Sequence, residues 1–249
     1  MNTISPTGPQ FEYMTTTAKY PALVAGFGAG KTEAAVKRAI VGKIQNPKTD
    51  RGFYAPTYDL IRMIAFPRFE QALEELGIGY RLYKSPLNYL EITGYGRIYF
   101  RSMDAPHRII GYEHADADVD ELDTMKPEDA AYAWRQIVAR NRQNKENGSQ
   151  NTIGVTTTPE GFKFVYDTWV KDPKAGYEII QAPTMSNPHL PEEYVQSLRD
   201  IYPANLLAAY LEGKFVNLHS GTVFNNYDRI ACRSAMTADQ STLVRIGMD

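Results

Sequence analysis

Residues 25–32 read Ala25-Gly26-Phe27-Gly28-Ala29-Gly30-Lys31-Thr32. This segment nearly matches the pattern G-x-x-x-x-G-K-[ST], with Ala25 in place of the first glycine. A short apolar run precedes it, and from Thr32 to Ile44 apolar residues recur at helical spacing. A strand, a glycine-rich turn and a helix in this order predict a phosphate-binding loop. The alternative is a chance glycine turn before a helix, which the Gly-Lys-Thr ending disfavours.

The residue types of this loop suit a nucleotide bound with Mg²⁺. Glycines let backbone N–H groups turn inward and cradle phosphate oxygens. In this pattern Lys31 supplies positive charge to the β- and γ-phosphates, and the Thr32 hydroxyl binds Mg²⁺. The helix that follows adds the positive end of its dipole. The predicted ATP-binding residues of the loop are Gly26, Phe27, Gly28, Ala29, Gly30, Lys31 and Thr32.

A second element is acidic and reads Ala115-Asp116-Ala117-Asp118-Val119-Asp120-Glu121. Nucleotide hydrolysis needs an acid that organises the metal and a base that polarises the attacking water. Asp120 is predicted for the first role and Glu121 for the second. Strand alternation predicts that Asp116 and Asp118 share one face. Taken alone, the segment is also compatible with a solvated acidic loop.

The rest of the chain alternates strand-like and helix-like segments. This alternation predicts an α/β fold with a mostly parallel sheet and helices on both faces. Together with the phosphate loop and the acidic pair, it resembles the P-loop NTPase fold of the RecA- or ASCE-like type. Ligands bind beyond the carboxyl ends of the strands in such sheets, where the loop and the acidic pair would meet. Residues 80–101 add three short strand-like segments, the last two joined at Gly94-Tyr95-Gly96 as in a hairpin. The sequence of residues 221–224 predicts a further strand.

Composition limits the class of protein. The 249 residues carry 27 Lys and Arg against 29 Asp and Glu, a net charge of -2. This balance argues against a protein coated in basic charge, although a local basic surface remains compatible with it. The single cysteine, Cys232, rules out an intrachain disulfide and fits a reducing compartment. Because there is neither a long apolar run nor a signal-peptide pattern, we expect a soluble intracellular protein without a membrane partner.

An ordered series of motifs resembles the large terminase subunit of tailed bacteriophages, the motor that packages viral DNA. Beyond the phosphate loop no single motif is specific, but their order and spacing are, and they extend from about Gln10 to the C-terminus. The series consists of Pro9-Gln10-Phe11, the phosphate loop, Asp120-Glu121, Val155-Thr156-Thr157-Thr158-Pro159-Glu160-Gly161, Asn187-Pro188-His189-Leu190-Pro191 and Tyr210-Leu211-Glu212-Gly213-Lys214-Phe215.

The resemblance implies roles for two of these motifs. Gln10 is similar to the glutamine that reads adenine in that family. Thr156, Thr157 and Thr158 look like the family's coupling motif, in which a hydroxyl at a strand end senses the γ-phosphate and moves when it leaves. Without the resemblance, a β-branched strand running into a Pro-Glu-Gly turn would explain the second motif equally well.

The resemblance also implies partners and a location. It predicts ATP-driven translocation of double-stranded DNA into a procapsid, with the portal protein and the small terminase subunit as protein partners. The active form would be a homo-oligomeric ring in the cytoplasm of the infected bacterial host, absent from the mature virion. DNA contacts would be to phosphates, because a packaging motor must accept any sequence. Lys145, Lys163 and Arg142, in loops that look exposed, are predicted DNA contacts.

The domain limits follow from the same resemblance. Residues 1–215 are predicted to form the ATPase domain, and residues 216–249 a linker and the start of a nuclease domain. Asp249 matches the first metal-binding aspartate of that nuclease. One aspartate cannot assemble a two-metal site, so residues 1–249 are expected to have no nuclease activity.

Hydrolysis also gains from an arginine that neutralises charge on the γ-phosphate, by about 10³–10⁵-fold. Many terminases resemble one another in having that arginine inside the loop, where this chain has Phe27. Arg140 and Arg142 look like an Arg-x-Arg element that serves the neighbouring subunit, which would make an isolated monomer slow. As an alternative, they are solvated charges at a helix end. Other candidates are Arg135, Arg101 and Arg108.

Two other functions are compatible with the sequence. A helicase-like ATPase also uses an Asp-Glu pair and an upstream glutamine, but it needs a second RecA-like domain, for which the chain is too short. Strand unwinding would favour it. A nucleotide-dependent switch with slow turnover does not need a well-placed base, so Glu121 argues against it.

Overall fold

A mixed sheet runs through the computed structural model, which describes residues 5–218. Its strands within those residues are β1 (Tyr20–Ala25), β2 (Arg51–Ala55), β3 (Tyr80–Tyr83), β4 (Tyr89–Ile92), β5 (Gly96–Ser102), β6 (Asp116–Asp120), β7 (Ile153–Thr157) and β8 (Tyr177–Ala182). The order across the sheet is β3-β4-β5-β2-β6-β7-β1-β8. Pairing is antiparallel between β3, β4 and β5 and parallel from β5 to β8. The predicted hairpin and the mostly parallel sheet are confirmed.

Helices cover both faces of the parallel part, as the sequence predicts. The α-helices are α1 (Gly8–Thr15), α2 (Lys31–Gln45), α3 (Tyr58–Leu60), α4 (Phe66–Leu76), α5 (Pro127–Arg140), α6 (Glu192–Ile201) and α7 (Ala204–Tyr210). Two π-helical segments, Ile61–Ala65 and Tyr166–Lys171, are also present. Short 3-10 helices are Pro106–Arg108, Leu122–Thr124 and Thr184–Ser186. The first π-helical segment joins α3 to α4 without a break, a winding that apolar periodicity does not reveal.

Two apolar layers hold these helices on the sheet. On one side, Phe53 and Phe100 lie under α2 and α4 and pack edge-on against Phe69. On the other side, Val119 belongs to the cluster that includes Trp134 of α5. Burial of each such large side chain contributes roughly 1.5–3 kcal/mol. The carboxyl ends of β1, β7 and β6, which are neighbours in the sheet, are thereby fixed side by side.

The acidic strand is buried, so its interpretation as a solvated loop is wrong. Asp118 lies 2.6 Å from the Arg38 guanidinium and 2.7 Å from that of Arg51, and its side chain is fully buried. Asp116 also contacts Arg51, at 3.6 Å, on the same face of β6 as predicted. A buried carboxylate needs such partners, because an unpaired charge in the interior is strongly destabilising.

Some predictions fall outside residues 5–218. These are the strand at 221–224 and the metal-binding role of Asp249. Among the described residues no helix is long and apolar enough to cross a membrane.

Candidate active site

The phosphate loop lies between the end of β1 and the start of α2. Gly28 and Gly30 have φ of 74° and 84°, a left-handed conformation that glycine adopts without strain. Gly30 is the N-cap residue of α2, so the N-terminus of that helix faces the loop. Ala25 is the last residue of β1 and pairs with Ala182 of β8, so the departure from glycine falls on ordinary strand backbone.

Lys31 lies between the loop and the acidic pair. Its ammonium donates to the carbonyl oxygens of Ala25, at 3.2 Å, and Gly26, at 3.0 Å. Burial lowers the pKa of Lys31, and the carboxylates of Glu121 and Asp120 oppose that change. A buried cation with only carbonyl partners is well placed to exchange them for anionic phosphate oxygens.

Thr32 and Asp120 form an oxygen-rich pair that fits Mg²⁺. The Thr32 hydroxyl donates to Asp120 Oδ2 at 2.8 Å, and the Thr156 hydroxyl donates to Oδ1 at 2.5 Å. Burial raises the pKa of Asp120, and these two hydrogen bonds oppose the rise. Mg²⁺ in nucleotide sites binds to one or two protein oxygens plus water and phosphate, which is what this pair offers.

Glu121 directly follows β6 in a strained conformation. Its φ of 52° and ψ of 44° make it the one residue other than glycine with positive φ in the described part of the chain. Such strain is concentrated at functional sites. Glu121 lines a cavity of about 60 Å³ together with Asp120, Thr32 and Ile64 of the π-helical segment. Burial raises the pKa of Glu121 to about 7, while the Lys31 ammonium opposes the rise.

The three predicted coupling threonines all contact the end of the acidic strand. Thr156 donates to Asp120, as above. The Thr158 N–H donates to Glu121 Oε2 at 3.3 Å, and the Thr157 hydroxyl accepts the N–H of Asp123 at 3.1 Å. Because β6 and β7 are adjacent parallel strands, their carboxyl ends share one hydrogen-bond network. The coupling role of the three threonines stays a prediction.

Asp123 belongs to this network, and the sequence analysis missed it. Its side chain is fully buried, and Oδ1 accepts the Val165 N–H at 2.9 Å. Oδ2 has no hydrogen-bond partner among the described residues. Burial raises the pKa of Asp123 to about 7. A third acid two positions after Glu121 was the available signal, but carboxylates at such spacing are usually solvated.

We expect Asp123→Asn to stabilise the protein at high pH. The folded state holds the Asp123 proton to about pH 7, whereas the ordinary pKa is 3.8, so the wild type loses stability as pH rises between these values. Asparagine resembles the protonated acid and has no proton to lose. Its free energy of unfolding relative to wild type should therefore rise by up to about 4 kcal/mol from pH 4 to pH 8.

Urea unfolding at several pH values would measure this difference. Asp59→Asn is the control, because Asp59 is an exposed acid that pairs with Arg62 at 3.3 Å and does not contribute to the raised pKa of Asp123. A difference between Asp123→Asn and wild type that does not change with pH would contradict the prediction.

Gln10 lies against the loop. Its Nε2 donates to the Gly30 carbonyl at 3.0 Å, and its Oε1 accepts the Thr7 N–H at 2.9 Å. A Cβ at position 30 would come within 2.3 Å of Nε2, so the glycine is required for this contact. In this conformation both ends of the amide are occupied by the protein. Adenine reading by Gln10 therefore stays a prediction that requires the side chain to change partners.

Phe27 stands where an arginine would be, and it has a packing role. Its ring stacks on Tyr210 with a centroid distance of 4.5 Å, and its N–H donates to the Tyr210 carbonyl at 2.7 Å. The Thr184 hydroxyl and the Asn187 amide donate to the carbonyls of Phe27 and Gly28, each at 2.8 Å. The C-terminal motifs at 187–191 and 210–215 thus lie against the phosphate loop, which their sequence alone did not indicate.

Arg140 and Arg142 lie far from the nucleotide site of their own chain. The Arg140 carbonyl accepts the N–H of His114, just before β6, whereas Asp120 ends that strand. The five residues of β6 therefore separate the Arg140 backbone from Asp120 by roughly 16 Å. Arg140 donates through Nε to the Ile109 carbonyl, and Arg142 is 58% exposed beside Glu113. Neither arginine is part of the site within one chain.

The prediction that Lys145 contacts DNA is wrong. Its side chain is 5% exposed and lies 2.8 Å from Asp116, so it neutralises a buried acid. Lys163 donates to the Asp123 carbonyl at 3.0 Å, next to the coupling network. Arg142 alone of the three is well exposed.

Comparison with known proteins adds to this geometry. The protein-family model described as "Terminase large subunit, T4likevirus-type, N-terminal" matches residues 22–229. No curated protein sequence matches the chain.

Solved structures of large terminases share the fold. One from a thermophilic bacteriophage is 17% identical with a TM-score of 0.72 over 86% of this chain and 54% of that one. The ATPase domain of the Thermus phage P74-26 large terminase is 18% identical with a TM-score of 0.64, over 85% of this chain and 94% of that one. The HK97 bacteriophage large terminase is 13% identical with a TM-score of 0.62, over 85% and 51%.

The chain spans about half the length of the thermophilic phage terminase. That terminase has also been solved with ADP and with ATP-gamma-S.

Proposed function

Because the chain belongs to the family of large terminase subunits of the T4-like-virus type, as an N-terminal ATPase domain, we propose that it hydrolyses ATP to drive double-stranded viral DNA into a procapsid. One observation carries the hydrolytic part of the proposal. Lys31, Thr32 and the Asp120-Glu121 pair meet at the carboxyl edge of β1, β7 and β6. Complexes of a related terminase with ADP and ATP-gamma-S support ATP as the nucleotide.

The loop holds the triphosphate in this proposal. Backbone N–H groups of residues 26–32 and the N-terminus of α2 bind phosphate oxygens, and Lys31 exchanges its carbonyl partners for them. Thr32 and Asp120 would hold Mg²⁺, which neutralises developing charge on the phosphates when it is bound. Gln10 would turn from Gly30 to the adenine base, a role taken from the family resemblance.

Glu121 is the proposed general base. Its carboxylate lies at the cavity beside Asp120, which is large enough for a water molecule and is also lined by Ile64. A base works best when its pKa lies near the working pH, and the raised pKa of Glu121, about 7, meets that condition. The strained backbone at Glu121 fixes the direction of the carboxylate.

Coupling runs from Glu121 to β7. Thr158 donates its N–H to Glu121, so loss of the γ-phosphate and movement of the base would shift the end of β7. Thr156 and Thr157 hold the same two strand ends together through Asp120 and Asp123. We propose this network as the path from hydrolysis to the surfaces that grip DNA.

The wider assembly is likewise part of the proposal. Double-stranded DNA, the portal protein and the small terminase subunit are the proposed partners, in a homo-oligomeric ring in the host cytoplasm. Residues 1–215 are assigned to the ATPase domain and residues 216–249 to the linker and the start of a nuclease domain. The chain covers only about half of a full-length relative, and packaging itself belongs to the whole protein.

A hydrolysis assay with and without DNA tests this function. We expect Mg²⁺-dependent release of phosphate from ATP that double-stranded DNA accelerates, and no separation of the strands of a tailed duplex. Acceleration by single-stranded DNA with strand separation would instead indicate a helicase-like ATPase. Tight nucleotide binding without turnover at any protein concentration, with or without DNA, would indicate a switch.

A further inference from the structure

The outer part of the sheet has one face without a helix. On one face of β3, β4 and β5, Leu90, Ile98 and Phe100 pack under α4 and the π-helical segment. The side chains of the other face are exposed or half-buried, and within residues 5–218 the apolar cluster under α5 and the second π-helix includes no residue of β3, β4 or β5. The outward side chains of this uncovered face, which we call the open tyrosine face, are Arg81, Tyr83, Tyr89, Glu91, Arg97, Tyr99 and Arg101.

Tyrosine rings form a continuous row across the open tyrosine face. Tyr83 stacks on its cross-strand partner Tyr89 at 4.4 Å, and Tyr89 lies 5.7 Å from Tyr99. Tyr112, which follows β5, extends the row at 5.6 Å from Tyr99 and is anchored by a hydrogen bond to buried Tyr54. Each ring on the strands is half-buried, so part of each tyrosine is in contact with solvent. The row forms an aromatic platform across the three strands.

Arginines flank this platform. Arg97 lies 5.1 Å from the centre of the Tyr89 ring, and Arg101 lies 5.1 Å from that of Tyr112. Arg81 is exposed and stands opposite Glu91, the one acid on the face. Three arginines against one glutamate make the face positive in a chain with a net charge of -2.

The helical layer behind the same strands has the opposite charge. Residues 58–76 carry two arginines, Arg62 and Arg68, against four acids, Asp59, Glu70, Glu74 and Glu75. Positive charge is therefore concentrated on the open side of the outer strands. A surface of this kind attracts a polyanion, because the potential depends on where charges lie.

We propose that the open tyrosine face binds the phosphate backbone of double-stranded DNA through Arg81, Arg97 and Arg101, with tyrosine hydroxyls as additional donors. Arginine and tyrosine side chains are common phosphate contacts in protein–DNA complexes, and such contacts accept any sequence. That the polyanion is DNA rests on the proposed function. The charge and the aromatic row come from the fold itself.

Net charge favours a duplex over a protein partner. Tyrosine and arginine are also enriched at protein interfaces, but the centres of those interfaces are otherwise depleted in charge and rich in apolar area. No outward residue of β3, β4 or β5 is aliphatic, and guanidinium groups lie over the rings of Tyr89 and Tyr112. A duplex presents the complementary surface, a regular array of anionic oxygens.

The test is binding of a short fluorescent duplex to the protein over a range of salt, about 50 to 200 mM. We expect Arg81→Gln combined with Arg97→Gln to reduce the slope of log K against log salt by about 1.8, or 0.9 for each lost phosphate contact. Affinity at about 100 mM salt should fall roughly tenfold. Glu91→Gln should tighten binding, because it frees Arg97 from its 3.3 Å ion pair.

The matched control is Arg62→Gln combined with Arg68→Gln, which removes the same charge from the opposite layer and should leave the slope unchanged. Equal losses in both double variants, or weaker binding by Glu91→Gln, would overturn the proposal. A change in the oligomeric state of the Arg81→Gln, Arg97→Gln variant would also overturn the proposal, since the face would then be a subunit interface. So would a loss of binding that is seen only with single-stranded DNA. If wild type binds no duplex at low salt, the DNA part of the proposed function fails as well. If the Arg81→Gln, Arg97→Gln variant binds the duplex as tightly as wild type does, the assignment of DNA binding to the open tyrosine face is wrong, but the proposed function is not affected.

Discussion

Glu121→Gln is expected to lower kcat for ATP hydrolysis by about 10²–10⁴-fold, the usual contribution of a positioned general base. Glutamine has the same shape and can still accept the Thr158 N–H, so nucleotide affinity should change little. The loss should therefore appear in kcat rather than in the dissociation constant for ATP. Single-turnover phosphate release and equilibrium ATP binding, measured on the same preparation, separate the two quantities.

The pH profile provides a second readout of the same variant. The base must be ionised to accept a proton, and the pKa of Glu121 is raised to about 7, so kcat/KM of the wild type should rise with pH through that value. This rise of kcat/KM with pH, the acidic limb of the profile, should be missing in Glu121→Gln. Because Asp123 also has a pKa of about 7, Asp123→Asn should be profiled beside it and should keep the limb.

Glu33→Gln is the matched control for this prediction. Glu33 lies in the first turn of α2 near the loop, but it pairs with Lys37 at 3.0 Å and has no part in the proposed chemistry. It should retain nearly wild-type turnover. Turnover of Glu121→Gln within about threefold of wild type would be too small a loss for a general base. The Asp120-Glu121 assignment would then be wrong, and a nucleotide switch would become the better description.

Loss of the catalytic arginine is the second large effect. An arginine that stabilises the transferring phosphoryl group contributes about 10³–10⁵ to kcat. Arg140 and Arg142 lie roughly a strand's length from the nucleotide site of their own chain, so they can act only in a neighbouring subunit. We expect Arg142→Ala to show the larger loss, because its guanidinium is exposed whereas Arg140 is tied to the Ile109 carbonyl.

Mixing two inactive variants tests the arrangement between subunits. Subunits with Glu121→Gln keep their arginines, and subunits with Arg142→Ala keep their base. A mixture should regain activity at subunit boundaries where an intact arginine meets an intact base, and the wild-type rate per subunit should rise with protein concentration.

Lys171→Ala is the control for this experiment, because Lys171 is an exposed cation that pairs with Asp167 at 3.2 Å and is not a candidate for the catalytic role. It should be dispensable, whereas Arg135, which is also exposed, should be tested as a candidate. Full activity of Arg140→Ala and of Arg142→Ala would exclude both residues. A wild-type rate per subunit that is independent of concentration would show that the chain is self-sufficient, and Arg101 would then be the next residue to test.

The sequence by itself determined the phosphate loop, the mostly parallel sheet and the family. These features depend on neighbours in the chain, because glycines at the left-handed positions 28 and 30, a following Lys-Thr and apolar periodicity are all local patterns. The pairing of Asp120 with Thr32 followed from the same logic, since both residues belong to the ends of parallel strands or the loops after them.

Only the tertiary structure decided which long-range partners each side chain has. Lys145 looked exposed in a polar loop but neutralises Asp116. Asp123, which the sequence did not single out, is buried, and its Oδ2 has no hydrogen-bond partner within residues 5–218. The tertiary structure likewise placed Arg142 beside Glu113, at the opposite end of the strands from the nucleotide site, and left Tyr83, Tyr89 and Tyr99 half-exposed on the open tyrosine face. The physical reason is that strand order determines these contacts. Periodicity defines the face of a strand, whereas the neighbours on that face come from residues many positions away.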